Sequence, residues 1–283
     1  MAVTIEDIKK LRTMTGAGMK DCKKALAEAD GDINKAVELV RERGLAIAAK
    51  RSDRTTSNGC VLVKNVNGFA AMLALKCETD FVAKDAGFVA FANFVAKMAA
   101  EKKPATVEEL SALVEEERKA VIAKLGENMS VRRFQVIETA NNLVAYIHGA
   151  LATEGVLVEY KGVEDVARKV GMHIVAAKPQ CVSEDQVDAA LVEKERHIYT
   201  EQAIASGKPA EIAAKMVEGR IKKYLAEVTL NGQAFVMNPD QTVAQFLKEN
   251  GSEVVSFVRY KVGDGIEKKE VDYAAEVAAA AKV

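Results

Sequence analysis

The sequence predicts an α+β fold in which helices cover two small antiparallel sheets. Two observations lead to this expectation. Residues 60–77 and 142–160 each combine a pair of short strand-like runs, and each pair is followed by a helical pattern. Residues 4–43 and 183–226 show helical spacing alone. They are expected to add a bundle at the start of the chain and a helical insertion within the second sheet unit.

Three short helices are expected over residues 4–43. Thr4 is a suitable N-cap for the first helix, and Asp7 in its first turn favours the helix N-terminus. Gly44 is expected to end the third helix. Such a small bundle encloses only a thin core, so we expect it to serve in binding. Residues 46–58 are then expected to form a basic linker, a solvated tether rather than a nucleic-acid contact.

A strand hairpin is expected next. Residues 60–66 and 69–77 flank Asn67-Gly68, the strongest short-range signal for a tight β-turn. More helix follows up to Val121. The first helix after the hairpin is expected to bury a series of aromatic side chains in the core: Phe88, Phe91 and Phe94.

The second unit repeats this order of elements. Residues 142–149 and 155–160 have the pattern of strands, and a helix over 163–177 is expected to end at Lys178-Pro179. The repetition of hairpin and helix indicates two related subdomains side by side.

An antiparallel helical hairpin is predicted within the second unit. Ser183 to Gln186 form a capping-box pattern, so a long helix is expected to begin there and to end at Ser206. Residues 207–209 turn the chain into a second helix over 210–226. The seam between the two helices is expected at coiled-coil-like spacing: Val187, Leu191, Ile198 and Ala205.

The C-terminal part is predicted to complete the second sheet. Residues 230–237 and 253–262 have the pattern of strands around a helix at 243–250, and residues 271–283 that of an alanine-rich helix. The expected domains are an N-terminal three-helix domain with its linker (1–54), a first core subdomain (55–140), a second core subdomain (141–179 and 229–263), the inserted helical hairpin (180–228) and a C-terminal helical module (264–283).

The most informative stretch is the corner between the first hairpin and its helix. Thr79, Asp80, Phe81 and Val82 place a bulky aromatic side chain beside a carboxylate where a strand gives way to a helix. On one interpretation Asp80 caps the helix and Phe81 staples it to the core. On the other, Phe81 is a wedge directed at another protein. The corner by itself allows both.

Composition limits the function classes. The chain has 283 residues, with 40 lysines and arginines against 41 aspartates and glutamates, so it lacks the basic excess of a general nucleic-acid binder. The four cysteines lie far apart and fit reduced thiols better than a disulfide framework or a zinc site. No signal-peptide pattern and no membrane-spanning stretch are found, which predicts a cytoplasmic protein that does not enter a membrane.

Nucleotide-binding and catalytic motifs are incomplete. Residues 16–18 begin like a dinucleotide loop, but Asp21 stands where the third glycine belongs. Residues 207–208 lack the rest of a phosphate loop, and the histidines have no metal-ligand spacing. We therefore expect no cofactor, no metal and no enzyme active site. Two alternatives are a structural or RNA-associated helper that uses the basic linker and the helical hairpin, and a thiol enzyme built on Cys77 beside Glu78 with a distant histidine.

Several segments form a recognisable series. They are residues 11–26 (LRTMTGAGMKDCKKAL), 79–83 (TDFVA), 126–128 (GEN) with 132–133 (RR), 146–149 (YIHG), 172–173 (MH) before 178–179 (KP), 206–209 (SGKP) with 215–220 (KMVEGR), and 265–268 (GIEK). In their order and spacing they closely resemble the bacterial elongation factor Ts family. The resemblance covers essentially the whole chain.

The resemblance implies a guanine-nucleotide exchange factor for the GTPase elongation factor Tu, with no nucleotide site of its own. It implies that the N-terminal bundle, similar to ubiquitin-associated domains, docks on the partner's nucleotide-binding domain, as do the first core subdomain and the C-terminal helix. The second core subdomain is implied to hold the partner's third domain. The helical hairpin is tied to dimer contacts in some members of the family, which allows a dimer of the heterodimer.

Site residues are carried over position by position. The segment Thr79-Asp80-Phe81-Val82 matches the one that intrudes near the partner's Mg²⁺ site in this family. The other partner contacts implied by the resemblance are Lys23, Leu125, His148, Val236 and Met237. For His148, a buried core histidine is the alternative. Two positions depart from the family pattern, Lys20 and Ala234, and they affect the expected contacts only locally.

Overall fold

The structure, a computed structural model, describes residues 3–66, 69–207 and 209–265. It is a mixed α+β fold in which helices pack on small antiparallel sheets, as the sequence predicts. The helices are α1 (Ile5–Thr15), α2 (Met19–Glu28), α3 (Ile33–Arg51), α4 (Asp80–Ala83), α5 (Ala86–Lys102), α6 (Val107–Leu113), α7 (Glu115–Leu125), α8 (Glu164–Ala177), α9 (Ala189–Ala205), α10 (Ala210–Val228) and α11 (Val243–Glu249). The strands are β1 (Asn58–Val66), β2 (Phe69–Cys77), β3 (Met129–Glu138), β4 (Asn142–His148), β5 (Glu154–Lys161), β6 (Ala234–Phe235), β7 (Asn238–Thr242) and β8 (Glu253–Lys261).

The N-terminal bundle consists of α1, α2 and the first half of α3. Thr4 caps α1, as the sequence predicts, and the Asp7 side chain completes a reciprocal capping box that was not predicted. Gly16 ends α1 in the left-handed conformation, with φ of 68°. The buried residues of the bundle are Ile8, Leu11, Cys22, Ala25, Leu26, Ala29 and Ala36.

The third helix differs from the prediction. It passes through Gly44 and ends at Arg51, so residues 46–51, expected in a flexible linker, are helical. Packing explains the glycine, because a Cβ at position 44 would lie 2.9 Å from the Cβ of Ala123 on α7. Ala48, further along α3, is buried in the core of the first sheet. The N-terminal bundle is thus fixed to the core through α3.

The first sheet has the order β1-β2-β3 and is antiparallel throughout. Residues 58–66 pair with 69–77 as the predicted hairpin, whose turn residues 67–68 lie outside the described part of the chain. β3 was not predicted. Its pairing with β2 shifts so that Arg132 has no opposite residue, and this β-bulge breaks the alternation by which a strand is recognised in a sequence. Helix α5 covers one face of the sheet and buries the predicted aromatic series, Phe88, Phe91 and, in part, Phe94.

The second sheet has the order β4-β5-β8 and is also antiparallel. Helix α8 covers it, close to the predicted bounds, and α11 packs nearby. The core between them contains Val156, Val158, Val170, Ile174, Leu230, Val243 and Val254.

Strand β2 joins the two sheets. Leu73 and Leu75 on one side of β2 lie in the core beneath α5, whereas Met72 and Ala74 on the other side lie in an apolar cluster shared with the second sheet. Leu157 of β5 belongs to the same shared cluster. The core therefore has four layers: α5, the first sheet, the second sheet and α8.

Helices α9 and α10 form the predicted hairpin, but its start and its seam differ from the prediction. Residues 184–186 form a 3₁₀ turn and Asp188 caps α9, so the expected capping box at Ser183 is wrong. Leu191 and Ile198, expected in the seam, are exposed. The helices instead meet through Val192, Tyr199, Ala203, Ala213, Val217, Ile221 and Leu225.

The predicted strand at residues 230–237 is largely wrong. Within it, Ala234–Phe235 alone is a strand, and it pairs with β7 across a two-residue turn formed by Val236 and Met237. Helix α11 and strand β8 lie close to their predicted positions. The helix predicted at 271–283 lies outside the described residues.

Candidate functional site

Phe81 lies at the corner that follows β2. Thr79 caps the short helix α4 and accepts a hydrogen bond from the Val82 N–H (3.4 Å), and Phe81 follows in the first turn. The Phe81 residue is 80% exposed, the highest value among the exposed large apolar residues in the described part of the chain. The interpretation in which Phe81 staples a helix to the core is therefore wrong. Val82 packs against the core from the same turn, and Phe81 points away from it.

Asp80 does not cap the long helix either. Asp85 does so, because its side chain accepts a hydrogen bond from the backbone N–H of Gly87 (2.7 Å) at the start of α5. Asp80 instead pairs with Lys84, four residues later, at 2.8 Å. The hydrogen bond from Lys84 lowers the pKa of the Asp80 carboxyl, so this side chain is ionised at neutral pH.

Glu127, two residues after the end of α7, holds this corner in place. Its carboxylate accepts hydrogen bonds from the Thr79 N–H (2.9 Å) and from the Thr79 hydroxyl (2.5 Å). Since the same hydroxyl oxygen also accepts the Val82 N–H, the carboxylate fixes the start of α4. Hydrogen bonds to an ionised acceptor are among the stronger ones in proteins. Phe81 is therefore presented from a corner with a fixed orientation.

A second carboxylate, on the corner itself, binds the segment that carries Glu127. Glu78 accepts hydrogen bonds from the Asn128 N–H (2.6 Å) and from the Arg54 guanidinium (3.3 Å). The Asn128 side chain donates to the carbonyl oxygens of Ser52 and Arg54, both at 3.0 Å. We call the four central residues the corner clasp: Glu78, Thr79, Glu127 and Asn128. The corner clasp joins the segment after α3, the corner and the end of α7. Through Glu78 it also pairs Arg54, which was expected in a solvated linker.

Leu125 and Lys23, the contacts implied for the partner's nucleotide-binding domain, differ in their distance from the corner. Leu125 lies two residues before Glu127 at the end of α7 and is partly buried against the first core. Its Cδ2 would lie 3.9 Å from a Cβ placed on Gly87, at the start of α5. Lys23 is exposed on α2, in the N-terminal bundle. The structure thus brings Leu125 to the corner and leaves Lys23 on a separate element.

A second candidate surface lies on the β6–β7 turn. Val236 and Met237 form its tip and are 43% and 52% exposed. The turn has a firm base, because Phe235 is buried and stacks on Phe246 of α11 with ring centroids 4.2 Å apart. The backbone N–H of Val236 donates a hydrogen bond to Nδ1 of His173 on α8 (3.2 Å). No sequence pattern indicates this role of His173, because its partner lies 63 residues away and a lone histidine in a helix has no distinctive spacing.

His148 lies at the end of β4 and is exposed, so the alternative of a buried core histidine is wrong. Its Nδ1 lies 3.1 Å from the Tyr146 hydroxyl. Ala234, one of the two departures from the family pattern, is exposed at the start of β6, and Lys20 is exposed on α2.

Cys77 does not suit a thiol nucleophile. The residue is fully buried, and burial, with the nearby Glu127 carboxylate as a smaller cause, raises the pKa of its thiol to about 12. The thiolate is the reactive form, so a raised pKa opposes this chemistry. Within residues 3–66, 69–207 and 209–265, no group of three or more His, Cys, Asp and Glu side chains could hold a metal ion. The helices of the same residues include none long and apolar enough to cross a membrane.

Comparison with known proteins supplies the family. The sequence model of the family described as elongation factor TS matches residues 78–264. A protein named elongation factor Ts from Neisseria meningitidis serogroup A is 76% identical over 282 residues, which cover 99% of each chain. Proteins of the same name from Chromobacterium violaceum and Shewanella sediminis are 52% and 51% identical, each over 99% of this chain and 99% and 98% of their own lengths. A family model that matches more than half of the chain, and relatives more than 50% identical over nearly its whole length, show that the chain belongs to the elongation factor Ts family.

Proposed function

We propose that the chain acts in translation elongation as a guanine-nucleotide exchange factor. It binds elongation factor Tu carrying GDP and promotes the release of GDP, so that GTP can rebind. One observation supports this beyond family membership: Phe81 is 80% exposed on a corner that the clasp holds in place. A large apolar side chain presented in this way contributes little to the stability of its own fold and is available to a partner.

The physical mechanism is differential binding. A GTPase holds its nucleotide through backbone N–H groups, a lysine and a bridging Mg²⁺. Another protein speeds release only if it binds the nucleotide-free form more tightly than the loaded form. Inserting Phe81 beside the metal loop displaces packed elements, because close-packed interiors shift as discrete units. By linkage, bound nucleotide weakens the binding of this chain by the same factor.

Asp80 acts beside Phe81. Its carboxylate is ionised at neutral pH, because the hydrogen bond from Lys84 lowers its pKa. Brought near the phosphates and the metal site, this charge adds like-charge repulsion or accepts a hydrogen bond from a freed backbone N–H. The pair with Lys84 is exposed and is easily exchanged for such contacts.

The remaining contacts hold the partner in place. Lys23 and Leu125 contact its nucleotide-binding domain, and His148, Val236 and Met237 contact its third domain. The exposed Leu191 and Ile198 of α9 are available for contacts between two such complexes. The chain binds no nucleotide itself and catalyses no covalent step, since its effect is on an equilibrium within the partner.

The test is the release of a fluorescent GDP from elongation factor Tu in a stopped-flow instrument, with excess unlabelled GDP as a trap. We expect the release rate to rise with the concentration of this chain and to saturate. An unchanged release rate would overturn the proposal. Steeply salt-dependent RNA binding by the chain alone would support the alternative of an RNA-associated helper.

A further inference from the structure

His173 on α8 is fully buried and makes hydrogen bonds with both ring nitrogens. The Val236 N–H can only donate, so Nδ1 of His173 is the acceptor of that bond (3.2 Å). The proton of the neutral ring is therefore on Nε2, which donates to Oε1 of Gln233 at 2.9 Å. The two contacts together fix one tautomer.

Gln233 orients the ring from the other side. Its amide nitrogen donates to the carbonyl oxygen of Glu227 (2.7 Å) at the end of α10 and to that of Ala177 (3.3 Å) at the end of α8. The amide oxygen of Gln233 is thereby directed at Nε2 of His173. A continuous series of hydrogen bonds runs from two helix ends through the imidazole to the β6–β7 turn.

Three uncharged groups of the described residues lie against the His173 ring: the Gln233 amide, the Val236 N–H and the Phe235 ring, whose centroid is 5.8 Å away. Burial lowers the pKa of His173, so the neutral form that accepts the Val236 N–H is the form present at neutral pH. The strands of this hairpin are short, since β6 has two residues and β7 has five. A hydrogen bond to the tip therefore has a large share in fixing its orientation.

We propose that His173 is a positioning residue: its neutral imidazole orients the Val236–Met237 turn so that both exposed side chains meet the partner. This inference rests on the proposed function, in which the turn grips the partner's third domain. His173 itself touches no partner, because it is fully buried.

Two substitutions separate the bonds made by the two ring nitrogens. Asparagine places its amide oxygen two bonds from Cβ, as Nδ1 is, so His173→Asn retains the acceptor for the Val236 N–H. Glutamine places its amide nitrogen three bonds from Cβ, as Nε2 is, so His173→Gln retains the bond to Gln233 and loses the acceptor. Both variants lose the ring, and their melting temperatures, measured by circular dichroism, report that common cost.

The readout is the chain concentration that gives half-maximal GDP release, measured separately from the maximal release rate. We expect His173→Gln to raise the half-maximal concentration about tenfold, the loss expected for one net hydrogen bond, and His173→Asn to stay within about twofold of wild type. The maximal rate, which depends on Phe81, stays at the wild-type value in both. Adding His173→Gln to Met237→Ala gives little further weakening, because His173 acts through the turn.

Two results would overturn the inference: equal effects of the two substitutions, or full additivity of His173→Gln with Met237→Ala. If the wild-type chain fails to speed release, the proposed function fails, and the positioning role is then judged on the free chain. Hydrogen exchange of the Val236 amide is expected to be slow in wild type and His173→Asn and fast in His173→Gln. Equal exchange in the two variants would overturn the role of His173 independently of the partner.

Discussion

Phe81→Ala separates partner binding from folding more sharply than any other substitution at the corner. Phe81 is 80% exposed, so about four-fifths of its surface is available to a partner. Full burial of an aromatic side chain of ~150–250 Å² at about 25 cal/mol per Å² corresponds to about 4–6 kcal/mol. Only the remaining fifth, about 1 kcal/mol, supports the chain's own fold.

Part of the free energy gained by burying Phe81 in the partner is offset by the cost of opening the partner. Truncation to alanine is therefore expected to cost about 2–4 kcal/mol of interaction free energy, the range of an interface hot spot. At 1.4 kcal/mol per factor of ten, this corresponds to a fall of about 30- to 700-fold in acceleration of GDP release. The loss persists at saturating chain concentration, since Phe81 acts when the nucleotide site opens rather than in the first encounter.

The assay is fluorescent GDP release from elongation factor Tu, with the melting temperature of the free chain recorded for each variant. Ile204→Ala is the matched control, because Ile204 is a 63% exposed apolar residue on the helical hairpin. With this variant, the partner is expected to release GDP at the rate seen with the wild-type chain. Phe88→Ala is the opposite control, because truncating this fully buried ring costs about 3–5 kcal/mol of stability. A wild-type rate of GDP release from elongation factor Tu in the presence of the Phe81→Ala variant would refute the role of Phe81 as a wedge.

Four further predictions concern the surroundings of the two surfaces. Glu127→Gln replaces one acceptor for Thr79 by a donor, so we expect the maximal release rate to fall about tenfold, consistent with ~1.5 kcal/mol for a hydrogen bond to a charged group; a rate equal to wild type would count against the clasp. Removing residues 1–54 is expected to weaken partner binding in calorimetry while the strand signal in circular dichroism persists, with a lower melting temperature because Ala48 is lost from the core. Replacing residues 184–226 by a short glycine linker is expected to leave GDP release intact, because the two ends of the hairpin lie close together, where the Leu230 N–H donates to the Cys181 carbonyl at 2.9 Å. A large fall in the GDP release rate would mean that the surface acting on the partner includes the helical hairpin. Burial lowers the pKa of His173, so below pH 6.5 the unfolded chain binds more protons than the folded chain. The stabilising contribution of the neutral imidazole is therefore complete above pH 6.5 and is lost as the pH falls toward the folded pKa. Urea titrations at several pH values should show this fall in unfolding free energy for wild type and not for His173→Gln.

The elements with strong local signals could be predicted from the sequence. The first hairpin, the aromatic face of α5 and the cap at Thr4 depend on residues close together in the chain. β3 could not be predicted, because the unpaired Arg132 interrupts its alternation. The seam of the helical hairpin was misplaced because Leu191 and Ile198 have the right spacing but face solvent.

The candidate site shows the same limit. The corner alone left both interpretations of Phe81 open, and the resemblance to the family implied the exposed one, whereas the contact between Thr79 and Glu127, 48 residues away, could not be predicted. Likewise, the exposure of Met237 depends on how the β6–β7 turn folds, which the sequence misassigned to a longer strand. Local patterns identify side chains, and distant contacts decide which way they point.

The burial of β2 on both sides has a consequence for cooperativity. Loss of either α5 or the second sheet would expose one apolar face of β2, so the two sheets are not expected to melt separately and should share a single unfolding transition. The separation between Phe81, which follows β2, and the turn beside α8 is therefore set by the packed core of the two sheets. Phe81 and the Val236–Met237 turn are therefore expected to meet the partner at a fixed distance from each other.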